Sequence, residues 1–411
     1  MKLSRLIAST ALFLAFVLVS AAGTVKTVNL IANLADPSTA TDIANAYSIT
    51  LTDTAPGSPF VLFTVDQSLL SSVMSSLQSD PRVVWVEDEL PFDSPESKKQ
   101  RPQDIRSRVG GTIPVVFDTA HGEQYNKAYL DQIHWRLTPM LMASEKVVRV
   151  AILDTGLSPM QPVLWDKVVA SEGYVGTGDA YDLPTSVDTN NNGLVDEGVG
   201  HGTFVMSIVA TVAPYAKFVI AKVADSDGVA TSWTILRGLV FAVDNGCEFA
   251  NISLGSQDAP VALSDVLDWV QARGLTVIAA AGNDNKRRMT YPARYSKVIS
   301  VTGIDENDVK DSFSNYESSA FAAGPSVLVA GAWWEGGAVG WSGTSFAAPF
   351  VTGCLADTSR RRGDWSPDQI KNLMRNTGVN IDPLNPSFTG QLGLRVDWKM
   401  LNDAQKWKRQ P

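Results

Sequence analysis

The chain of 411 residues is 45% hydrophobic and 19% charged, a globular balance that excludes a disordered tail, a collagen-like fibre and a polytopic membrane protein. Its 34 Lys and Arg against 43 Asp and Glu leave a formal net charge of -9 with no long basic stripe, so nucleic acid is not an expected partner. At roughly 150 residues per domain the length allows two to three domains, which a prosegment and one large domain would fill.

Lys2 and Arg5, the apolar run Leu6 to Val19 and then Ser20-Ala21-Ala22 follow the charged, apolar and small-residue order of a secretory signal peptide over 1–22. An uncleaved anchor is the alternative, because the run is slightly long for a signal and short for a membrane span. No later stretch could cross a bilayer, so stable membrane insertion is not expected and secretion to an extracellular or periplasmic space is.

Residues 25–92 read as a small α+β domain. Val25 to Ile31, Pro59 to Val65 and Arg82 to Glu87 are β-prone runs, with helices expected over Thr39 to Tyr47 and Gln67 to Gln78, the latter aligning Leu69, Val73 and Leu77. Across 93–124, Pro95, Pro102, Pro114, a charge-dense stretch and Gly110-Gly111 point to a solvated linker with a processing site between Leu90 and Gln124. An ordered surface excursion is the competing reading.

Over 125–405, short β-branched runs alternate with helical stretches, the pattern of an α/β doubly wound, mostly parallel sheet. Strands are expected at Val147 to Leu153, Phe218 to Val223, Phe249 to Leu254, Thr276 to Ala281 and Val298 to Val301. Helices are expected at Thr231 to Asp244, Leu263 to Ala272, Ser345 to Asp357 and Pro367 to Asn376, the last with Ser366 as its cap. Cys247 and Cys354 are too few for a disulfide framework; a bridge and two buried thiols are both open, and the reading favours thiols.

Asp154 ends an apolar strand before Thr155-Gly156, at the carboxyl edge where open α/β sheets place their sites. His201 opens an apolar helix from Gly200-His201-Gly202-Thr203. Ser345 lies in Gly343-Thr344-Ser345-Phe346-Ala347-Ala348-Pro349, where small residues bring a hydroxyl to a helix start and the dipole favours a developing oxyanion. Asn283 follows Ala280-Ala281-Gly282 at another strand end, where its amide could be a second oxyanion donor.

In the order Asp, His, Asn, Ser, and at fitting spacings, these segments resemble a subtilisin-like serine protease (subtilase family). The resemblance implies Ser345 as nucleophile, His201 as general base, Asp154 as the group orienting the imidazole, and Asn283 in the oxyanion hole. It also implies that Ser253, Leu254 and Gly255 pair with substrate backbone, that Ala280, Ala281 and Gly282 wall the primary specificity pocket, and that residues 25–92 are an inhibitory prodomain of a self-processing zymogen. None of these pocket positions is acidic, so an apolar or broad preference is expected before the scissile bond. Peptides, proteins and the chain's own prodomain are then the expected partners, and a monomer the default state.

The chain departs from the family at Phe204 and Phe350, where histidines are usual, at Met206 and Ser207, and at Phe346, where many members have methionine. A carboxyl peptidase of similar fold would carry glutamate in place of His201, and a silent binding module would not need all four residues. A second site is read at Asp188, Asn190 and Asn192, oxygen ligands at alternate positions before Gly193, with the acidic pair Asp196 and Glu197 to close the shell: a calcium loop that is not an EF-hand, because Val199 stands where its last ligand would be.

Overall fold

Strands buried on both faces read as unbroken apolar runs, and a sheet with a centre of that kind organises the larger of two units. The computed structural model describes residues 26–94, 101–106, 116–137, 146–361 and 365–404; the signal peptide expected over 1–22 lies outside them. In the first unit, β1 (Thr27–Leu34), β2 (Thr50–Thr54), β3 (Phe60–Asp66) and β4 (Val83–Asp88) form an antiparallel sheet of order β2-β3-β1-β4, with helices Ala40–Tyr47 and Leu70–Ser79. Alternate residues take opposite faces. Leu30, Ala32, Val61 and Phe63 pack with Ile43 and Leu77 from the helices, while Ile31, Phe60 and Leu62 join the core of the second unit. β2 was not expected; it is an edge strand in which no residue is fully buried, so it carries little apolar signal.

After β5 (Pro91–Asp93), the second unit is built on β6 (Arg149–Asp154), β7 (Val168–Gly173), β8 (Lys217–Lys222), the short β9 (Val229–Thr231), β10 (Phe249–Ile252), β11 (Thr276–Ala280), β12 (Ile299–Ile304) and β13 (Ala322–Pro325). The hairpin β14 (Val329–Ala332) and β15 (Ala338–Trp341), then β16 (Val379–Asn380) and β17 (Leu394–Arg395), complete it. The nine-stranded sheet runs β16-β17-β13-β12-β11-β10-β6-β8-β7, parallel except at β16–β17. Val150 and Ile152 face a core shared with helices His201–Val212 and Thr344–Arg360; Ala151 and Leu153 face the other layer, with helices Ser232–Asp244 and Val261–Gln271. This is the expected doubly wound α/β fold. Ser366 caps its helix in a capping box with Gln369, and Thr231 does the same with Thr234.

The strand order reverses at β6, whose neighbours are β8 on one side and β10 on the other. Such a switch point opens a crevice at the carboxyl ends of the strands. The purely solvated linker expected over 93–124 needs correcting in its described parts: Asp93 lies in β5, while Ile105 and Phe117 are 3% and 1% exposed and belong to the larger core. Arg360, in the last turn of helix Thr344–Arg360, is buried against Asp357 at 3.2 Å. Cys247 and Cys354 are free buried thiols in separate cores. Among the described residues, no helix is long and apolar enough to cross a membrane.

Candidate active site

Asp154 is the last residue of β6, and its Oδ1 lies 2.7 Å from Nδ1 of His201, the first residue of helix His201–Val212. Both side chains are buried. Oδ1 also accepts the Thr155 N–H at 2.8 Å, so the carboxylate is clamped by its own turn. Gly200, at the helix N-cap, has φ +89°, and a Cβ there would come within 2.9 Å of Trp334 and 3.0 Å of Trp333. Only glycine meets both conditions, so the imidazole enters the crevice beside the tryptophans.

A second buried carboxylate, missed by sequence reasoning, stands behind this pair. Asp182 Oδ2 accepts the Gly200 N–H at 2.9 Å and the hydroxyls of Thr155 and Thr203, each at 3.1 Å; Thr155 Oγ1 in turn accepts the Gly202 N–H at 2.9 Å. It ties the turn after Asp154 to the start of the histidine helix. Burial pushes its carboxyl up to about 6; Lys222 opposes the rise and Asp154 adds to it. The unfolded chain therefore releases this proton near pH 4 and the folded protein only near pH 6, so the Asp182 contribution to stability falls as pH rises through that window. In a Ser345→Ala background, Asp182→Asn is expected to gain stability relative to its parent between pH 4 and 6, by up to about 3 kcal/mol. Parallel melting-temperature profiles against pH would refute this.

The serine approaches from the same layer, where helix Thr344–Arg360 shares the core of the histidine helix. Ser345 is the second residue of helix Thr344–Arg360, in the first turn, where a backbone N–H has no acceptor within the helix. Its Oγ donates to the Ser253 carbonyl at 3.2 Å, and its own carbonyl accepts the Ser253 hydroxyl at 2.8 Å. The adjacent Phe346 ring lies 5.5 Å from the His201 ring, which also meets Trp341 edge-on at 5.6 Å. Phe204, in place of the usual histidine, meets Phe346 at 4.6 Å with the rings tilted by 60°, so both departures build one aromatic wall behind the imidazole. Phe346 has no sulfur to oxidise and Met206 is fully buried. Hydrogen peroxide is expected to spare most activity; loss of activity tracking oxidation of a methionine near the cleft would overturn that.

Asn283 Oδ1 accepts the Thr344 N–H at 2.9 Å and the Thr344 hydroxyl at 2.8 Å, which turns the N–H end of its amide away from Thr344. Among the expected pocket residues, Ala280, Ala281 and Gly282 are buried, and Thr290 packs against Gly282 and Gly255; sequence reasoning had no local signal for Thr290. Ser253 and Leu254 are also buried, and Gly255 pairs in both directions with Asp93, at 3.1 and 2.9 Å. Ser94 donates to the Gly228 carbonyl at 3.0 Å and β5 pairs with β9. The chain thus lays its own Pro91–Ser94 between β9 and Gly255, as an added strand.

The first unit is held there by more than that strand. The Glu87 carboxylate accepts the N–H groups of Val261 and Ala262 at 2.8 and 2.6 Å, capping a helix whose preceding Pro260 supplies no side-chain cap. Trp85 donates to Asp265, and Arg237 pairs with Asp53.

At the second site, Asp188 accepts the N–H groups of Asn192 and Gly193, and Asn190 and Asn192 both donate to Glu197. Asp196 does not close this loop: its carboxylate turns to the N–H groups of Thr185 and Ser186, because the chain reverses at Asp196 with φ +58°. Among the described residues, no cluster of three or more His, Cys, Asp or Glu side chains is arranged to hold a metal. Glu197 Oε1 is buried without a hydrogen-bond partner, which leaves one oxygen able to take a cation.

Residues 145–393 match the subtilase family of peptidases. Subtilisin BL and subtilisin Savinase of Lederbergia lenta are each 32% identical over 247 residues, 58% of this chain and 86% of theirs. Thermitase of Thermoactinomyces vulgaris is 32% identical over 246 residues, 57% of this chain and 81% of its own. Fervidolysin of Fervidobacterium pennivorans, described as a keratinolytic enzyme related to subtilisin, superposes with a TM-score of 0.70 at 19% identity, over 93% of this chain. The chain spans 62% of fervidolysin's length. A cold-adapted subtilisin-like serine proteinase gives a TM-score of 0.55 at 24% identity, over 66% of this chain and 97% of its own; both structures bear on the fold alone. With a family match over more than half its length and a reversal-point crevice carrying a buried Asp–His pair, the chain belongs to the subtilase family and is a subtilisin-like serine peptidase.

Proposed function

We propose that the chain is the zymogen of a secreted serine endopeptidase that cuts itself free of residues 25–92. The Ser345 hydroxyl attacks the scissile carbonyl carbon while His201 Nε2 takes its proton; a serine hydroxyl is too weak an acid to ionise unaided near neutral pH. Asp154 holds the opposite nitrogen as Nδ1–H and stabilises the imidazolium. The Ser345 N–H and the Asn283 amide receive the tetrahedral oxyanion. His201 then protonates the leaving amine, and water, deprotonated by the same imidazole, releases the acyl group from Ser345.

The observation that carries this reading is Pro91–Ser94 lying as a strand between β9 and Gly255, two residues beyond the Ser253 carbonyl that accepts from the Ser345 hydroxyl. Residues 25–92 then act as an intramolecular inhibitor and fold partner, since they share a core with the enzyme layer and cap one of its helices. Peptides and proteins are the substrates, with an apolar or broad preference before the scissile bond, and a monomer suffices for the chemistry. Intact masses of secreted wild type and Ser345→Ala test the proposal. Wild type should lose the N-terminal unit while the variant keeps it and resists a fluorophosphonate that labels wild type. Equal full masses with no label on Ser345 would overturn the reading.

Calcium is proposed as a structural ion at Asp188, Asn190 and Asn192, with Glu197 in place of Asp196. These are hard oxygen ligands, and any ion binding only the folded protein raises its stability by mass action. Chelator is expected to lower the melting temperature of Ser345→Ala protein, with Glu197→Ala removing that response. An unchanged melting temperature in saturating chelator would eliminate the site.

A further inference from the structure

The turn that carries Asn283 is gripped by a side chain for which the proposed chemistry has no use. Asn315 is fully buried. Its Oδ1 accepts the N–H groups of Asp284 at 3.0 Å and Lys286 at 2.9 Å, and its Nδ2 donates to the Ala281 carbonyl at 3.2 Å. Its backbone N–H donates to the Gly282 carbonyl at 2.8 Å. One residue therefore holds the chain both before and after Asn283. Gly282 has φ +100°, and a Cβ there would lie 2.5 Å from Asn315 Nδ2, so glycine is what admits the amide. The Gly282 N–H meanwhile donates to Thr344 Oγ1 at 3.0 Å, and Asn283 Oδ1 accepts from Thr344, so the turn is fixed between the start of the serine helix and Asn315.

The three side-chain bonds ask for one group that accepts twice and donates once in a plane, which is a neutral amide. A carboxylate would set an oxygen against the Ala281 carbonyl, and an apolar side chain would take all three bonds away. An oxyanion donor works by standing in place before charge develops, and a displacement of order 1 Å in such a site costs about 10²-fold in rate. We infer that Asn315 is a positioning residue for the reaction: it sets the turn from Ala281 to Lys286 so that the Asn283 amide presents its N–H to the tetrahedral oxyanion. The inference rests on Asn283 serving the oxyanion.

The turn does not depend on this side chain to stay attached. The Asn285 N–H donates to the Phe313 carbonyl at 2.7 Å and the Tyr316 N–H to the Lys286 carbonyl at 3.0 Å, and both bonds survive truncation of Asn315. Asn315→Ala thus loosens the turn around Asn283 while leaving it on the same neighbouring loop.

The test is a double-mutant cycle on the full chain with Asn315→Ala and Asn283→Ala, read as kcat and KM on a short chromogenic substrate per site labelled at end point by a fluorophosphonate. Asn315→Ala is expected to lower kcat about 10- to 100-fold with KM little changed. In the Asn283→Ala background the same change should lower kcat less than about threefold, because the donor it positions is gone. Asn315→Ser, whose hydroxyl keeps part of the bonding, should lose less than the alanine variant, and it carries the same cycle if Asn315→Ala does not accumulate. An undiminished kcat per labelled site, or an equal loss in both backgrounds, would overturn the inference; so would a loss confined to KM, which would assign Asn315 to the pocket wall at Ala281 and Gly282. If Asn283→Ala alone leaves kcat unchanged, the oxyanion reading of Asn283 fails first, and the inference with it.

Discussion

Asp154→Asn is expected to lower kcat about 10⁴-fold while the protein stays folded, the size of loss known when a Ser-His-Asp protease loses only this charge. Asp154 Oδ1 serves two donors here, the Thr155 N–H at 2.8 Å and His201 Nδ1 at 2.7 Å, whereas Oδ2 is buried without a partner. An asparagine that keeps its oxygen on Thr155 strands an NH₂ group in the place of Oδ2. One that flips presents N–H to two donors and drives His201 into the wrong tautomer. Either way the imidazolium formed during attack loses its counter-charge in a water-poor pocket, where that charge matters most. If the proposed self-processing holds, the rate of N-terminal mass loss reads the chemistry directly, alongside the rate of fluorophosphonate labelling. A decrease smaller than tenfold in both would show that Asp154 does not act through His201.

The four candidate catalytic residues stand out in the sequence because each sits where a local pattern changes character. Asp154 and Asn283 close apolar runs, while His201 and Ser345 open helices behind glycines and small residues. The parallel sheet was legible for the same reason, since strands buried on both faces leave unbroken apolar runs. What could not be read depends on contacts between distant segments. Asp182 stands in a stretch without periodicity, and its role exists only because Gly200, Thr155 and Thr203 converge on it. Glu87 looks like the charged end of a strand until Val261 and Ala262 arrive. Ile105 lies in a polar, proline-bearing stretch, so composition pointed to solvent while one buried side chain and one glycine on β15 decided otherwise. At the candidate calcium loop, alternate spacing picks out Asp188, Asn190 and Asn192 and offers both Asp196 and Glu197; only the left-handed turn at Asp196 decides between the two acids, leaving Glu197 beside Asn190 and Asn192.

Asn283→Ala is expected to cost 10²- to 10³-fold in kcat, about 3 kcal/mol of transition-state stabilisation, with KM little changed; this is the magnitude measured when subtilisin loses its oxyanion asparagine. The effect falls on kcat because the donor is aimed where charge develops, and a neutral substrate carbonyl draws less from it than the tetrahedral oxyanion. In this protein the residue also accepts from the Thr344 N–H and hydroxyl, so alanine leaves two buried donors short of an acceptor at the start of the serine helix. A stability loss of about 1–3 kcal/mol should accompany the kinetic one. Asn283→Asp separates the two: its carboxylate still accepts from Thr344 and preserves the helix start, yet places an acceptor where the oxyanion needs a donor. Kcat should fall at least as far as in the alanine variant, with most of the melting temperature recovered. If the aspartate variant instead recovered activity in step with stability, Asn283 would be a support for the serine helix and the oxyanion would have to be met by other groups.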